Sequence, residues 1–147
     1  MTSSRGRGII NFNPEYFSNR QKLLNTLAVG VKSHFYIKNA TPVSVGAHEA
    51  GHIVEDWLID KYNAGDVSSR VLPEMLIKEA YISLLQTYKS PDEVKQLGQL
   101  TKEISRNANV NNFSECLADA VSDLMTNREN ASQLSVAIYQ RLKKELD

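Results

Sequence analysis

Residues 48–52 read His-Glu-Ala-Gly-His and lie inside a segment whose pattern predicts one long helix, about residues 42–63. Positions four apart on a helix share a face, so the imidazoles of His48 and His52 are directed at one point. Glu49 projects about 100° away around the helix axis, near enough for its carboxylate to reach a water on a bound metal without ligating it. The pentapeptide therefore predicts two metal ligands and a general base on one helix.

The same helix contains a residue that is unfavourable there. Thr41 and Pro42 supply its N-cap and first-turn proline, and the run Asn-Ala-Gly-Asp at 63–66 ends it. Gly51, in the interior, costs about 1 kcal/mol relative to alanine. We therefore expect another backbone or a ligand to approach the helix closely at Gly51.

Length and composition limit the classes of protein. A chain of 147 residues suits one domain, and we predict a flexible lead-in over residues 1–8 followed by a single domain over residues 9–147. The 17 basic and 17 acidic residues balance without a basic stretch, which argues against a nucleic-acid partner. No apolar run approaches a signal peptide or a membrane span, and Cys116 is the single cysteine. These features predict a soluble protein, cytoplasmic at synthesis, with no membrane partner.

The remaining pattern predicts a mostly helical α+β domain. Short runs of apolar and β-branched residues predict strands near 9–13 and 34–38. Cap residues followed by apolar residues at helical spacing predict six helices, which begin near residues 14, 42, 68, 90, 112 and 131. We expect the small sheet to pack on the helix that carries the histidines.

A catalytic zinc site needs three protein ligands and a water, so a third ligand must lie elsewhere. Residues 53–60 lack the glycine and the third histidine of the metzincins, which excludes that class. His34, the remaining histidine, is interpreted as a strand-edge residue, with a substrate contact as the alternative.

Glu115 and Asp119 are better candidates, since they lie four apart on the helix predicted at about 112–127. Glu115 would complete a His2Glu ligand set, and Asp119 could accept the outer N–H of a ligating imidazole. Two alternatives stay open. Both acids could be solvated side chains near a helix N-terminus, or Cys116 could be the third ligand.

The sequence resembles the gluzincin metallopeptidases on these motifs: His-Glu-x-Gly-His, a long gap, and Asn-x-x-Glu-x-x-Ala-Asp-Ala at 112–120. It is most similar to the branch that includes the anthrax toxin lethal factor catalytic domain and the zincin-like domains of phage minor head and head-morphogenesis proteins. The runs at 10–14 and 52–57 are also similar to that branch. The resemblance implies a zincin-like fold and a peptidase activity.

The resemblance also implies roles for individual residues. His48, His52 and Glu115 would bind one Zn²⁺ ion, Glu49 would be the base, and Asp119 would support a ligand from outside the coordination sphere.

One feature of that branch is missing. Its members usually carry a tyrosine shortly before the glutamate ligand, whose hydroxyl is thought to stabilise the oxyanion, and residues 105–115 contain none. The candidate oxyanion or substrate contacts are Asn107, Arg106, Tyr36 and Asn112.

These observations predict a zinc-dependent endopeptidase that cleaves a peptide or protein by means of a Glu-activated, zinc-bound water. The substrate would extend along the edge of the strand at 34–38. The first alternative is a zinc-binding assembly module without turnover, for instance one associated with a phage head and therefore with the virion. The second is a chance pentapeptide in a helical interaction domain.

Overall fold

Helices make up most of the structure, a computed structural model that describes residues 2–4, 8–62 and 71–146. The strands are β1 (Thr2–Ser4) and β2 (Ile9–Asn11), and the helices are α1 (Pro14–Phe17), α2 (Arg20–Lys32), α3 (Pro42–Lys61), α4 (Val71–Leu85), α5 (Leu97–Ile104), α6 (Phe113–Asn127) and α7 (Gln133–Leu146). Short 3-10 turns cover Pro91–Glu93 and Arg128–Asn130. The prediction of a mostly helical single domain is confirmed.

Helix α3 begins where its capping residues predict. The hydroxyl of Thr41 accepts a hydrogen bond from the Ser44 N–H, while the Ser44 hydroxyl accepts one from the Thr41 N–H at 2.8 Å. This reciprocal arrangement satisfies two N–H groups that have no partner within the helix. The predicted stop signal at 63–66 lies outside the described residues.

Helices α3 and α6 pack side by side and run antiparallel. A Cβ added to Gly51 would lie 2.7 Å from the Ala118 Cα, so the two backbones are nearly in contact there. Nearer the start of α3, the Ser122 hydroxyl donates to the Ser44 carbonyl at 2.7 Å, and the Ser44 and Thr126 hydroxyls are 2.8 Å apart. The predicted close approach at Gly51 is therefore confirmed, and its cause is α6.

The hydrophobic core is built around α6, which contacts α3, α4, α5 and α7. Its largest fully buried apolar side chains come from five helices: Leu58, Ile77, Leu100, Ile104, Leu117, Leu134 and Ile138. Because α6 carries both core residues and Glu115, packing of the core determines where that carboxylate lies. Within the described ranges, no helix is both long enough and apolar enough to cross a bilayer.

The predicted strand at 34–38 is wrong. These residues form an irregular loop after α2, in which the N–H groups of Phe35 and Tyr36 donate to the Gly30 carbonyl at 2.8 and 3.2 Å. His34 and Asn39 adopt positive φ angles of 57° and 58°, which an extended strand does not permit. Local hydrogen bonds that end α2 thus outweigh the β propensity of the aromatic residues. Consequently, no strand edge exists here along which a peptide could align.

The two strands that are described form a short antiparallel hairpin, with Ser3 opposite Ile10, and they contact α3. Strand β2 is shorter than the one predicted at 9–13 because Asn13 caps α1, its side chain accepting from the Glu15 N–H at 2.9 Å. Residues 2–4 belong to this hairpin, whereas we predicted them as part of a flexible lead-in.

Two predicted helices are interrupted by side-chain caps. The helix expected to follow residue 14 stops after Phe17, and α2 starts anew because the Asn19 side chain accepts from the Lys22 N–H at 3.0 Å. The helix expected to begin at residue 90 is a single 3-10 turn, and α5 begins only after Gln96, whose N–H donates to the Gln99 side chain at 2.8 Å.

Candidate metal centre

Three predicted ligands meet between α3 and α6. The Nε2 atoms of His48 and His52 are 3.2 Å apart, and each lies 3.4 Å from a carboxylate oxygen of Glu115. One donor atom from each residue can be chosen so that all three lie within 4.8 Å of one another. Spacing on α3 brings the histidines together, and the packing of α6 brings Glu115 to them.

These distances can be compared with the geometry of a zinc site. Zinc binds nitrogen and oxygen at about 2.0–2.2 Å in a tetrahedron, so neighbouring ligand atoms should be about 3.3–3.5 Å apart. The two Nε2 atoms are 3.2 Å apart, and each lies 3.4 Å from a different oxygen of Glu115. With one donor atom from each residue, the three atoms lie within 4.8 Å of one another. The chemistry of the donor set suits a zinc ion, and the separation of the two nitrogens is close to that of neighbouring ligands in a zinc tetrahedron.

The outer nitrogen of His48 is held by a chain of hydrogen bonds. Its Nδ1 lies 2.7 Å from the Asp119 carboxylate, which accepts at its other oxygen from the Ser105 hydroxyl. Ser105 in turn accepts from the Ala108 N–H at 2.8 Å. Since an ionised carboxylate only accepts, Nδ1 must carry a proton, which leaves the Nε2 lone pair of neutral His48 free for a metal.

Asp119 therefore occupies the position predicted for it. Its exposure is 4%, which excludes the interpretation of Asp119 as a solvated acid. Cys116, the other ligand considered, is fully buried in the core, and burial raises the pKa of its thiol to about 12. Among the described residues the clustered donors are His48, His52 and Glu115, so the position of Cys116 does not support it as the third ligand.

Sequence reasoning missed two residues beside His52. The Ser114 hydroxyl lies 3.3 Å from His52 Nδ1 and donates to the Glu55 carboxylate at 2.6 Å. A signal was present, because Glu55 follows His52 by three positions and so shares its face of α3. Glu55 is 2% exposed, so it lies in the interior of the site.

Of the predicted contacts in the loop before α6, Asn107 and Asn112 contact Glu115, whereas Arg106 does not line the site. The Asn107 amide donates to Glu115 at 2.6 Å, and the Asn112 side chain accepts from the Glu115 N–H at 3.4 Å, so both residues position Glu115. The Arg106 N–H donates to the His34 carbonyl, and the His34 ring contacts the Lys102 carbonyl, each at 2.7 Å. Arg106 and His34 thus join the loop after α2 to α5 and to the loop that follows α5, and they do not line the site.

A cavity of about 420 Å³ opens beside the ligands. Its lining includes the polar residues His48, Glu49, Asn107, Asn112, Glu115 and Asp119 and the apolar or aromatic residues Leu27, Phe35, Tyr36, Ile37, Ala40 and Val45. Glu49 is 7% exposed, and within the described part of the chain its carboxylate makes no hydrogen bond or ion pair. It is a buried carboxylate with its oxygens free to accept a proton.

In the metal-free protein, the cluster binds protons strongly. Burial acts to lower the pKa of His48, but hydrogen bonds to Asp119 and Glu115 outweigh it and raise the pKa to about 9. For His52, burial is likewise outweighed by hydrogen bonds to Glu115 and Glu55, and the pKa is about 10. Hydrogen bonds from both histidines lower the pKa of Glu115 well below its usual range. The cluster favours positive charge at its centre.

This electrostatic arrangement predicts how stability depends on pH in chelator-treated protein. The histidine contributions should be complete below their ordinary pKa of 6.5 and be lost as pH rises through about 9 to 10. The Glu115 contribution should be complete above its ordinary pKa of 4.5 and be lost on acidification. Urea unfolding between pH 4 and 10 should therefore show greatest stability in the weakly acidic range. Undiminished stability at pH 10 without zinc would contradict this prediction.

No protein-family model, curated protein or solved structure matches the chain. The function must therefore be inferred from the geometry of the cluster and the cavity beside it.

Proposed function

We propose that the protein is a zinc-dependent peptide hydrolase with a gluzincin-type His2Glu centre in a zincin-like domain. The observation that carries this proposal is the clustering of one donor atom each from His48, His52 and Glu115 within 4.8 Å, with the two Nε2 atoms 3.2 Å apart. The cavity beside them leaves one side of the centre open, as a catalytic site requires. The His48 Nδ1–H donates to Asp119 and the Asn107 amide donates to Glu115, and these hydrogen bonds hold two of the ligands in place.

Glu49 is the base in this proposal. It follows His48 directly on α3, lines the cavity and has no other hydrogen-bond partner among the described residues. A bound zinc ion would polarise the peptide carbonyl and make a water more acidic. Glu49 accepts the proton of the attacking water and transfers it to the leaving amine.

The apolar residues that line the cavity would contact the substrate. Phe35, Tyr36 and Ile37 come from the loop after α2 and line the same cavity as the polar residues. This loop replaces the predicted strand edge as the surface beside which a peptide lies. Tyr36 and Asn112 are the oxyanion donors that fit best, because both line the cavity and Asn107 is already bonded to Glu115.

The test combines metal content with turnover. We expect the purified protein to hold one zinc ion per chain and to cleave members of a peptide library, to stop on chelation, and to recover when zinc is restored. Glu115→Gln should weaken zinc binding, whereas Glu74→Gln, which removes a surface carboxylate paired with Lys78, should not. Failure to bind zinc would overturn the proposal.

An assembly module is the second candidate, and the packing of α3 against α6 favours it. Zinc would join these two helices at a point where the Gly51 and Ala118 backbones nearly touch, so the ion could act as a structural link. Zinc-loaded protein that resists unfolding but cleaves no peptide would support this role. The phage-associated function and virion location implied by the resemblance belong with this candidate.

A further inference from the structure

Glu55 is buried in a way that demands an explanation. It is 2% exposed, and one of its carboxylate oxygens, Oε1, has no hydrogen-bond partner in the described structure. A carboxylate that is buried and only half satisfied opposes folding. An apolar side chain at this position of α3 would avoid that penalty. The residue is therefore better explained by the site beside it than by packing.

The other oxygen of Glu55 is bonded to a residue on the facing helix. Ser114 Oγ donates to Glu55 Oε2 at 2.6 Å, and His52 Nδ1 lies 3.3 Å from Ser114 Oγ and 3.5 Å from the same Oε2. A hydroxyl has one proton, and here it is directed at the carboxylate. The oxygen of Ser114 is therefore left to accept a hydrogen bond from the His52 ring.

This direction determines which nitrogen of His52 faces the centre of the cluster. With Nδ1 protonated and bonded towards Ser114 and Glu55, Nε2 of the neutral ring presents its lone pair towards Glu115 and His48. For His48 the order is reversed, because Asp119 accepts directly from Nδ1 and Ser105 donates to the other oxygen of Asp119. Each histidine thus has a serine–carboxylate pair behind it, contributed from different parts of the chain.

We propose that Glu55 and Ser114 are a positioning pair that fixes the ring orientation of His52 and keeps a proton on its Nδ1, so that Nε2 faces the metal. This inference rests on the proposed zinc centre. Neither residue reaches the reacting atoms, so both act through His52. The pair also ties α3 to α6 one residue before Glu115, which makes the second and third ligands mutually dependent.

The test uses Ser114→Ala, Glu55→Gln and the double variant. In Ser114→Ala, we expect the zinc dissociation constant, measured by chelator competition, to rise about 10- to 100-fold. Both residues act through the same contact with His52. The zinc dissociation constant of the double variant should therefore be about that of the weaker-binding single variant, and not the product of the two single effects. Ser114→Thr keeps the hydroxyl and should recover most of the affinity.

A second readout reports on the histidine itself. The chain has three histidines, so labelling them with ¹⁵N gives three ring systems to assign. Ser114→Ala should accelerate solvent exchange of the His52 Nδ1–H and leave that of His48 unchanged. Asp119→Ala, which removes the acceptor of the His48 Nδ1–H, should do the opposite. Ser83→Ala, which removes a hydroxyl bonded only to the Glu79 carbonyl of its own helix, should change neither.

These outcomes separate this inference from the proposed function. Zinc affinity within about threefold of the unaltered protein in Ser114→Ala, together with an unchanged His52 Nδ1–H, would overturn the positioning role. An unaltered protein that binds no zinc would overturn the proposed function, while the ring N–H measurement on the metal-free protein would still test the contact with Ser114. If Ser114→Ala fails to fold, Glu55→Gln provides the same two measurements.

Discussion

Glu49→Gln is expected to reduce peptide cleavage by about 10²- to 10⁴-fold, the usual contribution of a positioned general base. Glutamine keeps the size and hydrogen-bonding shape of the side chain but cannot accept the proton of the attacking water. Glu49 is buried at the wall of the cavity and is not one of the three clustered donors, so zinc affinity should be nearly unchanged. Initial rates on a cleaved library peptide, with zinc content measured in parallel, give both quantities.

The control for this variant is Glu74→Gln on α4, far in sequence from the cluster and exposed beside Lys78. It should leave both rate and zinc content unchanged. Full activity of Glu49→Gln would show that Glu49 is not the base. Loss of zinc from the same variant would show that Glu49 contributes to zinc binding instead.

Gly51→Ala is expected to destabilise the protein, because the added methyl group meets the backbone of α6. The new Cβ would lie 2.7 Å from the Ala118 Cα and 3.3 Å from its Cβ, so α6 must move away. Overpacking of this kind costs about 1–3 kcal/mol, which exceeds the gain of about 1 kcal/mol that alanine offers in helix propensity. Displacing α6 also displaces Glu115, so the zinc dissociation constant should rise together with the fall in unfolding free energy.

Gly46→Ala is a matched control on the same helix. An added Cβ at Gly46 meets nothing within 4 Å, so only the propensity gain remains and the variant should be stabilised by up to about 1 kcal/mol. Urea unfolding of both metal-free variants measures the difference. Equal stabilisation by the two substitutions would show that α6 does not constrain the helix at Gly51.

Sequence reasoning predicted the parts of the site that depend on helical spacing. One pentapeptide indicated His48, Glu49 and His52. The four-residue spacing of two acids on a second helix indicated Glu115 and Asp119. The capping signal at Thr41 also placed the start of α3 correctly. Such features are local, so periodicity and cap chemistry are sufficient to find them.

What sequence reasoning missed depends on contacts between distant segments. Ser114 and Glu55 are 59 positions apart, and only the packing of α6 on α3 brings them together. The loop at 34–38 was mistaken for a strand because its aromatic residues favour β structure. Its backbone instead donates to the end of α2, and Gly30 leaves room for the Tyr36 ring there. Neither the contact between Ser114 and Glu55 nor the conformation of this loop has a periodic signature, although the three-residue spacing of Glu55 from His52 does.

The position of the ligands on α3 and α6 has a further consequence for the unfolded chain. An ion held by His52 and Glu115 would act as a reversible cross-link that closes a loop of about sixty residues, which includes all of α4 and α5. Cross-links over loops of this length stabilise mainly by reducing the entropy of the unfolded state, by about 4 kcal/mol in the chain-entropy treatment of disulfides. Metal binding would then stabilise the whole helical core against unfolding, and not only the few residues that contact the ion.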